Sequence, residues 1–169
     1  MTFKLTAATG GTKAEQYELL TQSAAALFHG ERDAIANAAN LSALIWQSLP
    51  DLNWAGFYFW KQDQLVLGPF QGKVACVRIA RGKGVCGRAA EERKTQLVAD
   101  VHTFPGHIAC DPASRSEIVI PLVAGDRLIG VLDLDSPLLA RFDEDDWQGL
   151  ERLAQIWLQH CNFETLPLR

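Results

Sequence analysis

Helical periodicity at both ends of this chain, with strand-length apolar runs between, leaves few folds open. Over residues 13–29 apolar side chains recur at Tyr17, Leu20, Ala24, Leu27 and Phe28, and Gly30 stops the pattern. A second helix is predicted from near Asp33 through Ile35, Leu41, Leu44 and Ile45, ending before Pro50. The last helix opens on Asp143-Glu144-Asp145-Asp146, acids that suit the positive end of a helix dipole. Trp147, Leu150, Ala154, Trp157, Leu158 and Cys161 form its stripe. Between these ends, residues 54–60 and 64–70 read as a hairpin across Lys61-Gln62-Asp63. Residues 74–80 read as a third strand, with Cys76 and Arg78 on one face and Val77 and Ile79 on the other. Gly82-Lys83-Gly84-Val85-Cys86-Gly87 opens a short helix through Ala89, Ala90 and Glu92. Residues 117–123 and 128–134 complete the strands, joined at Ala124-Gly125-Asp126. Helices from both chain ends around an antiparallel sheet predict an α+β fold.

The 169 residues suffice for one domain with a sizeable core. No repeat or linker divides them, so residues 1–12 read as an N-terminal arm and 13–165 as a single domain. A net charge of -4 without any basic block argues against nucleic acid as a main partner. No apolar stretch approaches a membrane span, and no apolar signal core follows the first residues. A cytoplasmic protein with reduced thiols is the expectation.

Four cysteines without Cys-x-x-Cys spacing give no metal-ligand regularity, and no metal is assigned. Cys110 follows the turn-rich Val101-His102-Thr103-Phe104-Pro105-Gly106 and sits in His107-Ile108-Ala109-Cys110-Asp111, off any apolar periodic face. Loops of this kind can expose a thiol and lower its pKa. Cys76 lies on the predicted third strand, where core packing and a redox role both suit it; Cys86 lies among glycines; Cys161 belongs to the terminal apolar stripe. The Gly-x-Gly-x-x-Gly echo around Cys86 lacks a βαβ setting, so nucleotide binding is rejected. His102 and His107 are read as solvated.

Asp133 and Asp135 stand two apart in an apolar run, on one strand face with Ile129 and Val131. Two acids on such a face resist desolvation, and at least one should have a raised pKa. The other reading ends the strand at Leu132 and leaves both acids in a turn. Glu117, opening the preceding strand, reaches the same place if the two strands pair. Trp54, Tyr58 and Trp60 share one face and could wall a small ligand that carries a methyl or thioether group.

Taken together these stretches resemble the free methionine-(R)-sulfoxide reductases, which are built on a GAF domain. The resemblance rests on Gly82-Lys83-Gly84-Val85-Cys86-Gly87, Val98-Ala99-Asp100-Val101-His102, Phe104-Pro105-Gly106-His107-Ile108-Ala109-Cys110-Asp111, Ser116-Glu117-Ile118-Val119-Ile120-Pro121-Leu122, and Ile129-Gly130-Val131-Leu132-Asp133-Leu134-Asp135-Ser136-Pro137. It implies a GAF domain with a sheet of about six strands and reduction of free methionine (R)-sulfoxide. It implies Cys110 as nucleophile, with Cys76 as the favoured resolving thiol and Cys86 as the other choice. Glu117, Asp133 and Asp135 would hold the substrate, Glu117 and Asp135 would also serve the chemistry, and Trp54 and Tyr58 would line the pocket. A thioredoxin-like dithiol would restore the site, no cofactor would be needed, and a homodimer is left open. Two other readings use the same residues: a GAF module that binds a small ligand without turnover, and a cysteine redox switch.

Overall fold

The computed structural model describes residues 11–106, 111–164 and 166. The expected arm over 1–12 falls almost wholly outside these residues, and His107 and Cys110 fall wholly outside them. Helices α1 (Lys13–Phe28) and α2 (Ala34–Ser48) come first. The strands β1 (Trp54–Lys61), β2 (Gln64–Gly72) and β3 (Arg78–Ala80) follow. Then come helix α3 (Gly84–Glu92), strands β4 (Gln96–Val98), β5 (Ser116–Ala124) and β6 (Arg127–Ser136), and helix α4 (Glu144–His160).

Local chemistry sets the helix limits. Thr12 and Glu15 form a capping box at the start of α1, Asp33 caps α2 by accepting from the Ala36 amide, and Asp143 and Asp146 form the box of α4. The β1–β2 hairpin turns on Gln62 and Asp63, both at positive φ, as a two-residue turn that matches strand twist requires.

Among the described residues the strands form one antiparallel sheet in the order β3-β2-β1-β6-β5-β4. Helices α2 and α4 pack on one face, with α1 laid across them, and bury Phe57, Phe59, Leu132, Leu134 and Trp157 in the larger core. Gly149 of α4 lets Tyr17 of α1 come so close that an added Cβ would strike its ring. A buried ionic knot closes this layer. Asp146 is fully buried and accepts from Tyr17 Oη at 2.7 Å, Lys13 Nζ at 2.7 Å and Arg141 Nη1 at 3.1 Å. On the opposite face α3 covers a smaller core containing Trp54, Tyr58, Ile79, Val85, Cys86 and Val131. Gly87 allows that closeness, because a Cβ there would stand 2.5 Å from the carbonyl oxygen of Ala80.

The structure corrects the strand reading in three places. The third strand is only Arg78–Ala80, not 74–80. Extending its register would set Ala75 opposite Pro69, which has no N–H to give, at the point where β2 bulges between the partners of Gly56 and Tyr58. The ladder therefore stops at the bond from Leu67 N–H to Val77 O, and Val74 and Val77 are left exposed. Secondly, β4 was not foreseen: three residues give too short a run for periodicity to register. Thirdly, Ile129 does not share a face with Val131. The β5–β6 pairing passes from Leu122↔Gly130 to Val123↔Leu128, so Ile129 is the extra residue of a bulge and turns into the helical layer.

Candidate functional site

The site is built on three neighbouring strands and roofed by α3. Pairing sets Trp54 of β1 opposite Asp135 of β6, and Asp135 opposite Glu117 of β5. The next row on the same face runs Gly56, Asp133, Val119. Directly opposed residues in antiparallel strands have Cβ atoms about 5 Å apart, so this register alone brings three carboxyls together. β6 continues to Ser136, so both aspartates belong to the strand rather than to the turn after it.

Glu117 and Asp133 are buried, each 6% exposed. From above, α3 adds the Cys86 thiol, whose Sγ lies 3.9 Å from Glu117 Oε1. That sulfur and one oxygen each from Glu117 and Asp133 lie within 4.8 Å of one another. Asp133 is in hydrogen-bond contact with Cys86 and Glu117, yet its Oδ1 is buried with no partner among the described residues.

Burial dominates the electrostatics. Loss of water pushes the Asp133 carboxyl up to about 7. It pushes Glu117 and Asp135 well above the carboxylate range, and the neighbouring Asp133 charge adds to both. At neutral pH the cluster thus keeps protons that exposed acids would have lost. Burial and the charges of Asp133 and Glu117 also raise the Cys86 thiol well above its ordinary value, which leaves it a neutral S–H.

A cleft of about 520 Å³, counted with its mouth, opens over this cluster. Trp54 and Tyr58 form one wall, Lys83, Gly84 and Val85 the roof, and Val74, Ala75 and Asp111 the rim. The aromatic rings are stacked at 5.7 Å and tied down: Trp54 Nε1 donates to the Lys73 carbonyl at 3.2 Å, and Tyr58 Oη to the Cys76 carbonyl at 3.1 Å. These bonds hold the segment that left the sheet after β2 against the cleft. Cys76 on that segment is disulfide-bonded, whereas Cys86 and Cys161 are free thiols. Cys161 lies far from the cleft chemistry, in the helical core, with Asn37 Nδ2 donating to its sulfur at 3.6 Å. Trp60 packs against the smaller core and does not line the cleft. His102 is exposed and paired with Asp100.

Sequence reading missed the polar brace at the rim. Asn53 Nδ2 donates to Asp111 Oδ2 at 3.2 Å and to Ser114 Oγ at 2.9 Å, and Ser114 in turn hydrogen-bonds to Asp135. The Ala113 amide leads the interactions that hold the Asp111 carboxyl below its usual range, and Lys73 pairs with Asp111 at 3.3 Å. The one signal available was Asn53 itself, a polar residue set directly before an aromatic strand.

A GAF domain family model matches residues 37–157. The chain is 55% identical over 142 residues to the free methionine-R-sulfoxide reductase of Escherichia coli, covering 84% of this chain and 86% of that one. It is 44% identical over 160 residues to the free methionine-R-sulfoxide reductase of Saccharomyces cerevisiae, covering 90% and 89%. Among solved structures, fRMsr of Staphylococcus aureus in complex with substrate superposes with a TM-score of 0.82 at 51% identity, over 85% of this chain and 94% of that one.

Proposed function

The chain belongs to the GAF-domain free methionine-R-sulfoxide reductases, and from that premise we propose that it reduces free methionine (R)-sulfoxide by thiol chemistry in the cleft over Glu117, Asp133 and Asp135. The observation that carries this reading is the convergence of three proton-retaining carboxyls, buried Glu117 and Asp133 and half-buried Asp135, and an aromatic wall beside disulfide-bonded Cys76.

A sulfoxide sulfur becomes electrophilic once its oxygen is protonated or strongly hydrogen-bonded. Carboxyls that stay neutral near pH 7 supply that proton, and the ionised member of the cluster balances the ammonium of a free amino acid. A methionine within a peptide chain has no such ammonium. Trp54 and Tyr58 offer the apolar face that a thioether needs. Cys110 attacks the sulfur, the oxygen passes from that sulfur to the Cys110 sulfur as the transient sulfur–sulfur bond breaks, and methionine leaves behind a Cys110 sulfenic acid. Cys76 then condenses with it, releasing water and leaving a disulfide. Two electrons have passed from two thiols to the substrate, and an external dithiol of the thioredoxin class returns them.

Two features favour Cys76 over Cys86 for the second step. Cys76 is disulfide-bonded, whereas Cys86 is a free thiol. Cys86 is buried among acids that disfavour its thiolate. Incubation with free methionine sulfoxide and dithiothreitol should yield methionine with wild-type protein and none with Cys110→Ser. Binding without turnover would leave the sensory reading in its place, and turnover by Cys110→Ser would remove the nucleophile assigned here.

A further inference from the structure

We propose that Cys86, Glu117 and Asp133 also form a site for zinc, at which Zn²⁺ inhibits the protein by occupying the carboxylate cluster in place of the substrate. The exclusion of substrate rests on the reading above; the metal site itself does not.

The donor set suits this ion. One thiol sulfur and two carboxylate oxygens lie within 4.8 Å of one another. Tetrahedral zinc holds sulfur at about 2.3 Å and oxygen at about 2.1 Å, which sets its donors roughly 3.5 Å apart. The Cys86–Glu117 contact of 3.9 Å needs only a few tenths of an ångström of closure. A soft thiolate beside carboxylates selects zinc, cadmium or cobalt over magnesium and calcium. Asp133 Oδ1 is the second, independent pointer. It belongs to a carboxyl only 6% exposed, and it has no partner among the described residues. A buried polar atom of that kind is costly unless something fills its coordination.

Charge favours the same outcome. Two ionised carboxylates and a thiolate would place three negative charges at the largely desolvated floor of the cleft, and a divalent cation offsets two of them. Binding is an exchange without redox change: a metal–sulfur bond forms, the S–H bond breaks, and the proton leaves to solvent, as do protons still held by the acids. The fourth coordination position faces the cleft, where water can complete the tetrahedron. The ion then sits where the substrate ammonium would.

Cobalt(II) is a spectroscopic probe of this site, because a thiolate ligand gives it a near-ultraviolet charge-transfer band. The full-length chain is titrated metal-free and phosphine-reduced, alongside a Cys76→Ser/Cys110→Ser double variant that cannot turn over under the reading above. Both should develop the band with the same affinity and lose it on adding Zn²⁺. Cys86→Ser should lose the band and bind about 100-fold more weakly, since even indirect partners of a metal cost about 10–100-fold. Asp133→Asn keeps the thiol and should bind at least about 10-fold more weakly. A band that survives in Cys86→Ser, or one that disappears in the double variant, overturns the site. Free methionine sulfoxide should displace cobalt from the double variant; failure to do so overturns the inhibition. A metal-free wild-type protein that binds cobalt through Cys86 yet makes no methionine would refute the enzymatic reading and leave the metal site standing.

Discussion

Replacing Asp133 by asparagine should make this protein more stable above neutral pH while harming its chemistry. In the folded chain, desolvation lifts the Asp133 carboxyl from an ordinary 3.8 to about 7. Below pH 4 the group is neutral in both folded and unfolded states and costs nothing. Between pH 4 and 7 the unfolded chain has lost the proton that the folded chain keeps, so stability falls as pH rises. Above pH 7 the whole penalty is present. At about 1.36 kcal/mol per pH unit it amounts to about 4 kcal/mol, an upper figure because Glu117 and Asp135 share the same field. Asparagine keeps the shape and carries no charge, and its removal of a negative neighbour relieves those two acids as well. Urea unfolding of chelator-treated wild type and Asp133→Asn should therefore give matching stabilities near pH 4. Their curves should separate to a few kcal/mol by pH 8, with the variant higher. For a chain of this length each kcal/mol is worth about 2–4 °C in melting temperature. Parallel pH profiles for the two proteins would show that Asp133 is ionised in the fold without penalty, and the proton-retaining cluster would lose its basis.

Three further outcomes follow from the same contacts. Asp135→Asn should keep the fold and slow sulfenic acid formation by about 10²–10⁴-fold in single-turnover experiments, the usual worth of general acid catalysis. An unchanged rate would confine the chemistry to Glu117 and Asp133. Asp146→Ala should destabilise the helical layer by about 3–5 kcal/mol in equilibrium unfolding, because it strands Arg141, Lys13 and the Tyr17 hydroxyl together. Cys161→Ser should leave methionine production unaltered, as its sulfur lies in the helical core under Asn37, and a large loss in a folded variant would contradict that.

Elements marked by adjacent residues were legible in the chain. Asp33 and the acids at 143–146 announce helix starts, Gly30 announces a stop, and the alternation through Trp54, Tyr58 and Trp60 reports which face of β1 turns to the smaller core. Each of these is a local signal, carried within a few residues of where it acts. The third strand was overdrawn for the complementary reason. Residues 74–77 have strand composition, but whether a ladder continues depends on the partner strand, and there the partner offers Pro69 inside a bulge. Ile129 was misplaced because one extra residue in β6 reverses the facing of every side chain before it.

The same division holds at the site. Sequence alone named the acids and the cysteines and stated the condition for their meeting, that β5 pairs with β6. Only the tertiary structure set Glu117 opposite Asp135, lowered α3 onto Asp133 and removed the water that would have kept these groups ionised. Cys86 and Glu117 stand 31 residues apart in the chain, and no ligand spacing links them. Proton retention and a donor cluster are consequences of desolvation and of long-range register, and both are decided by what the rest of the fold packs around a residue.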